Sequence, residues 1–351
     1  MKERKNQIAL FKKWYVLLYV AICLFVKKTD AQSLNGITNT PDTSYTTYSA
    51  WQKLKNDFPG ITIVHEFYYP DVEEKRGIIY CSINQRNLLV DAFTPKVKRW
   101  KKNPAIIFIH GGGWRSGNRT QHYPLAQRLA HLGYVCFTPE YRLSAEALFP
   151  AAVYDIKAAI RWVKANAATY NVDTSKIVIA GFSAGGELAA FMGSTGDMPL
   201  FEGCDCNSGK STNVDAVIDI DGTLSFVNQE SGEGDDSKHT SAATYWFGYP
   251  KKGNEVLWEA ASPLSYVSRK TPPTLFINSS LPRMHAGRTD YIHVLDSNHI
   301  YSEVHGFKGA PHSFCLFNPW FEPTVKYIDD FMKKVFPPGS GIGGDRCRQS
   351  A

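Results

Sequence analysis

From residue 61 onward the chain alternates between short apolar runs and stretches with helical spacing. Residues 61–69, 87–94, 105–110, 135–139, 176–180, 216–220, 274–278 and 301–306 predict strands. Several of these runs are continuously apolar, which suits parallel strands covered on both faces. Between them lie helical patterns at 124–132, 184–192 and 291–297. Another spans 151–168, with Val153, Ile156, Ala159, Ile160 and Val163 on one face. A last one at 324–335 closes the domain. Strand–helix alternation of this kind predicts the α/β class, a mostly parallel eight-stranded sheet with helices on both faces. Residues 193–213 and 227–252, rich in Gly, Ser and Asp, read as excursions above the sheet, where such folds build pockets. Residues 32–60 are polar and read as a mobile lead-in.

The chain has 351 residues, 43% hydrophobic and 21% charged, the balance of one large domain with a real core, here taken as 61–337. The net charge of +6 is concentrated in Lys2, Arg4, Lys5, Lys12 and Lys13, so it gives no argument for nucleic acid. Those basic residues precede an uncharged stretch at 14–26, too short to span a bilayer, which takes about 20 residues. Thr29 and Ala31 then place small residues before a cleavage point. This is the layout of a secretory signal peptide over residues 1–31, predicting a secreted or periplasmic protein with no stable membrane anchor after cleavage. Removing Cys23 with that leader leaves Cys81, Cys136, Cys204, Cys206, Cys315 and Cys347. Cys136 and Cys315 sit in apolar runs and read as buried thiols, whereas Cys204 and Cys206 lie in a polar loop and could bridge, with Cys347 as a candidate partner. No His cluster accompanies them, so no metal site is predicted. Residues 338–351 read as a C-terminal tail.

Three motifs carry chemistry. Gly181-Phe182-Ser183-Ala184-Gly185 follows an apolar run and precedes a small-residue helix. That is the context of a nucleophile elbow, in which a tight strand-to-helix turn exposes the serine hydroxyl. His110-Gly111-Gly112-Gly113-Trp114 follows a strand, and its bare backbone can approach a reacting carbonyl closely. The amides of Gly112, Gly113 and Ala184 are the expected oxyanion donors, each typically contributing about 3 kcal/mol. No Gly-Lys-Ser/Thr follows, as a phosphate loop would require. His312, in Gly309-Ala310-Pro311-His312-Ser313, follows the last strand and is the expected general base. His110, His299 and His305 read as structural.

These motifs, with Glu140-Tyr141-Arg142-Leu143 and the stretch from Phe149-Pro150-Ala151-Ala152 through Asp155 to Trp162, resemble the hormone-sensitive-lipase-like and acetylxylan/feruloyl esterase branch of α/β hydrolases. The resemblance runs from about residue 87 to 335 and implies a serine esterase that needs no cofactor. Residues 276–280, Arg283, His285, Arg288 and 318–321 are similar to bacterial esterases associated with pectin breakdown. In that branch the catalytic acid usually follows the seventh strand. Here that place reads Ser279-Ser280-Leu281, without a carboxylate. Asp221, at the tip of the sixth strand, is the favoured replacement. Asp290 is the alternative, and a Ser–His dyad helped by Ser279 or Ser280 a third arrangement.

Glu187, one turn after Ser183, reads as a helix-start carboxylate paired with an arginine such as Arg142. Arg283, His285 and Arg288 cluster after the seventh strand and are the candidate substrate-binding residues, because an arginine fork matches a carboxylate such as that of galacturonate. Trp246, Trp258, Trp320 and Phe321 are candidate sugar-stacking faces, or else core. The expected substrate is an ester on a plant polysaccharide, acetyl or pectin methyl. The rivals are a general short-chain carboxylesterase or lipase and a non-catalytic binding protein of the same fold.

Overall fold

The computed structural model describes residues 37–96, 100–203 and 206–337. The expected signal peptide and C-terminal tail, with Cys23, Cys204 and Cys347, lie outside the described residues. Eight strands make one sheet: β1 (Val72–Ile83), β2 (Arg86–Pro95), β3 (Asn103–Ile109), β4 (Val135–Pro139), β5 (Val172–Phe182), β6 (Ala216–Ile220), β7 (Thr274–Asn278) and β8 (Ser302–Gly306). Their spatial order is β1-β2-β4-β3-β5-β6-β7-β8. The β1–β2 and β2–β4 pairs are antiparallel, and every later pair is parallel. The predicted α/β class with a mostly parallel eight-stranded sheet is borne out.

Side-chain alternation builds a core on each face. On β3, Ile107 and Ile109 enter one layer, while Ile106 and Phe108 enter the other. The first layer takes α3 (Ala151–Ala165), α4 (Ala184–Ser194) and α7 (Arg288–Ser297) through Ile156, Leu188 and Tyr291. The second takes α2 (Tyr123–His131) and α8 (Phe321–Val335) through Leu129 and Phe331. The short helices α5 (Ala242–Phe247) and α6 (Glu255–Ala260) lie in the polar excursion after β6. No helix among the described residues is long and apolar enough to cross a membrane.

Three expectations need correction. The run 61–69 is not a sheet strand: only Thr62–Ile63 pairs, with Phe317–Asn318. The first strand is β1 instead, whose exposed Glu73, Glu74, Lys75 and Arg76 hide it from an apolar search. Charges suit it because it is an edge that must not pair with another chain. Second, the described part of the lead-in, 37–60, is bonded to the domain. Thr38 and Asn39 donate to Ala145 O at 2.8 and 3.0 Å, and Gly117 donates to Asp42 O at 3.0 Å. Helix α1 (Thr47–Leu54) follows, capped reciprocally by Thr46 and Ser49. Third, Cys206 bonds Cys81 on β1, across 125 positions of sequence. Cys136 and Cys315 are buried thiols, as expected.

The bridge ties the edge hairpin to the loop after α4, so its removal should release both. Closing so long a loop typically stabilises by 2–4 kcal/mol. Cys206→Ser is expected to lower the urea-unfolding free energy by roughly that amount. Addition of reductant should shift the wild-type midpoint equally, and an unchanged midpoint would show that the bridge is not formed in solution.

Candidate active site

Strand β5 ends at Phe182 and α4 begins at Ala184, so one residue turns the chain. That residue, Ser183, has φ +57° and ψ −121°, a conformation rarely adopted by a residue with a side chain. The strain is held because the segments touch. A Cβ at Gly185 would come within 2.0 Å of Ile109 O, so only glycine lets α4 start against β3. The Ser183 amide donates to Ile220 O at 2.8 Å and pins the turn to β6.

His312 lies in the turn after β8. Its Nε2 is 2.8 Å from Ser183 Oγ, and its Nδ1 is 2.9 Å from Asp221 Oδ2. Nδ1–H donates to Asp221, which leaves Nε2 to accept a hydrogen bond from the Ser183 hydroxyl. Asp221 is fully buried at the tip of β6. Its Oδ1 accepts from the Ser279 amide at 2.7 Å and more distantly, at 3.4 Å, from Asn278 Nδ2. The position after β7 therefore supplies an N–H donor to an acid that arrives from β6. Ser280 serves the base instead. Its Oγ donates to Phe307 O and accepts from the Gly309 amide, tying β7 to the loop that carries His312. Asp290 is exposed in the first turn of α7, away from this series.

The glycine loop runs beside the elbow, since a Cβ at Gly111 would lie 3.1 Å from Ser183 Cβ. Gly112 and Gly113 have φ of +126° and +61°. Their amides, and that of Ala184 at the start of α4, donate to no acceptor among the described residues. The loop is fixed from behind. The Gly111 amide donates to Gln121 Oε1 at 2.7 Å, and His110 Nδ1 donates to Gly111 O at 2.9 Å. His110 stacks on Tyr141 at 4.4 Å, and burial lowers its pKa to about 4, so it stays neutral. Tyr45, from the segment before α1, packs beside Gly112.

A family model described as BD-FAE matches residues 90–282, more than half of the chain. The chain belongs to the BD-FAE family. Esterase LipC of Mycobacterium tuberculosis is 32% identical over 55% of this chain and 47% of its own length. The carboxylic ester hydrolase LipM of the same organism, described as probable, is 30% identical over 58% and 47%. The chain thus spans about half the length of these curated relatives. A structure of esterase 2 from Thermogutta terrifontis with propionate bound superposes with TM-score 0.61 at 25% identity, covering 78% of this chain and 97% of that one. A truncated carbohydrate esterase from gut microbiota superposes at 0.62 and 24% identity, over 77% and 99%, which shows the shared fold. The α/β-hydrolase resemblance read from the motifs is borne out.

Around this BD-FAE site, several sequence-based assignments change. Glu187 does not pair with Arg142, which forks onto Asp155 at 2.8 and 2.9 Å. Glu187 instead accepts from Trp114 Nε1 at 2.9 Å. The three candidate substrate-binding residues do not form one fork. Arg288 Nη1 donates to Asn278 Oδ1 at 2.5 Å, and His285 Nε2 lies 3.0 Å from Ser279 O, so both brace the segment behind Asp221. Arg283 alone of the three stays exposed, with Glu233 at 3.8 Å. Trp246, Trp258 and Phe321 are buried core, and Trp320 packs edge-on against Phe58, so the first three offer no stacking face. Among the described residues no cluster could hold a metal.

The second buried histidine of the family domain, His122, sits between Phe108 and Phe182 beneath the elbow, and burial lowers its pKa to about 3. Its folded-state pKa is below the unfolded value, so the unfolded chain takes up the proton first and stability falls as pH drops below about 6.5. Between pH 7 and 5 this costs about 2 kcal/mol. His122→Leu should lose less stability than wild type over that interval in thermal melts at the two pH values. Equal losses would remove His122 as the cause.

Proposed function

We propose that the protein is an exported carboxylic ester hydrolase that works through an acyl-enzyme on Ser183 and removes acetyl or methyl ester groups from plant cell-wall polysaccharide. One observation carries the chemistry: the hydrogen-bonded series Ser183–His312–Asp221 beside amides that no acceptor among the described residues uses. As Ser183 Oγ attacks the ester carbonyl, His312 Nε2 takes its proton. The Gly112, Gly113 and Ala184 amides receive the oxyanion, and the α4 N-terminus adds its positive end. Asp221 stabilises the imidazolium and keeps the ring oriented. His312 returns the proton to the leaving alkoxide. A water molecule then attacks the acyl-enzyme, again giving its proton to His312; the bond to Ser183 Oγ breaks, His312 returns the proton to that oxygen, and the carboxylic acid departs.

The choice of an extracellular polysaccharide rests on the leader sequence, the polar excursions and the resemblance of the motifs to polysaccharide esterases. With Arg288 and His285 engaged behind the acid, recognition of an acidic sugar narrows to Arg283. A second reading, a general short-chain carboxylesterase, is favoured by the likeness to the Thermogutta terrifontis esterase with propionate bound.

Ser183→Ala should abolish hydrolysis of p-nitrophenyl acetate in a folded protein, and unchanged turnover would sink the nucleophile. Asp221→Asn is expected to lower kcat by about 10⁴-fold, while Asp290→Asn leaves it near wild type; the reverse ranking would reassign the acid. Acetate and methanol release from acetylated xylan and pectin decides the substrate. Release from neither, with p-nitrophenyl acetate still turned over, would favour the short-chain reading. If pectin is the substrate, Arg283→Ala should raise KM for pectin and leave p-nitrophenyl acetate unaffected.

A further inference from the structure

Two parts of the backbone must meet to hold one oxyanion. Gly112 and Gly113 come from the loop after β3, and Ala184 comes from the start of α4. One side-chain pair joins them directly. Trp114, the residue after Gly113, donates its indole N–H to Glu187, one turn into α4, at 2.9 Å. Both side chains are buried, with Trp114 at 4% exposure and Glu187 at 0%. The indole is held flat against Trp246 at 4.8 Å and tilted on Phe226 at 5.4 Å, so it cannot swing. Trp114 also has φ +55°, a conformation that a side-chain anchor must help to maintain.

We propose that Glu187 is a positioning residue that, through the Trp114 indole, holds the two halves of the oxyanion hole in register. This rests on the esterase reading above and adds a residue to it. The chemistry of the pair supports the role. Glu187 Oε1 is buried and meets no donor, so the carboxyl gains little from ionising there. The groups that face it are the indole N–H, the buried Asp219 and the hydroxyl of Tyr141, which itself donates to His110 O. Burial pushes the Glu187 pKa well up; the Trp114 hydrogen bond opposes the shift and the neighbouring Asp219 adds to it. A carboxyl whose charged form is disfavoured can still accept the indole hydrogen bond, and it adds less negative charge beneath a site that must itself hold an oxyanion. A helix-start carboxylate kept for its charge would need the opposite environment.

The test separates positioning from bulk stability. Glu187→Gln keeps an acceptor of the same shape and should retain kcat within about threefold. Glu187→Leu and Trp114→Phe remove one partner each. Both should lower kcat for p-nitrophenyl acetate by about tenfold to a hundredfold with KM nearly unchanged, the scale of a misaligned oxyanion donor. Both should weaken, by the same factor, a trifluoromethyl ketone that adds to Ser183 as a tetrahedral oxyanion. The double variant should be no worse than Glu187→Leu alone, because the two changes break one contact. Trp114→Phe keeps the ring in its stack, so it reports even where Glu187→Leu folds poorly. Full kcat and full ketone affinity in a folded Trp114→Phe, or losses that multiply in the double variant, would overturn the proposal. Hydrolysis surviving Ser183→Ala would instead overturn the esterase reading, so the two failures are distinct.

Discussion

Three backbone segments meet in contact beneath Ser183, and most of the site follows from that closeness. Strand β5 delivers the chain, α4 takes it away, and the end of β3 lies against both. A Cβ at Gly181 would fall 2.0 Å from Gly185 O, and one at Gly185 would fall 2.0 Å from Ile109 O. With no room for side chains, the turn is compressed to a single residue, and that residue is forced into the left-handed region with its hydroxyl outward. The same contact brings the glycine loop after β3 beside the helix start. The distance between the Gly112 and Gly113 amides and the Ala184 amide is thus set by the sheet, not by the loops alone.

Burial then sorts the ionisable groups around this point. Burial pushes the pKa of His110, stacked on Tyr141 under the glycine loop, down to about 4, and pushes that of Glu187 beneath the elbow well up. Each acts as a hydrogen-bonding strut. His312 is partly open, whereas Asp221 is buried and receives the Ser279 amide and the His312 ring.

Much of this was legible in the chain because backbone requirements leave marks. The glycines at 111–113, 181 and 185 declare close approaches, and the apolar runs of β3, β5, β6 and β7 declare strands covered on both faces. Edge strand β1 was not legible, since Glu73 to Arg76 follow its exposed setting and not a strand pattern. The bond from Cys81 to Cys206 was hidden because Cys81 belongs to that same unrecognised strand. Arg142 reads in sequence as a partner for Glu187, and Arg288 and His285 as substrate-binding groups, yet Asp155, Asn278 and the Ser279 carbonyl claim them, and pairings across distant segments leave no local signal. The reach of Asp221 could be argued from strand order. Its support by the Ser279 amide could not, because a backbone donor has no residue identity.

That amide gives the acid position a further meaning. The tip of β6 and the turn after β7 are neighbours facing the same imidazole edge, and only one carboxylate fits there. Two would repel, and one would be driven to hold its proton. The two arrangements are therefore mutually exclusive settings of one socket.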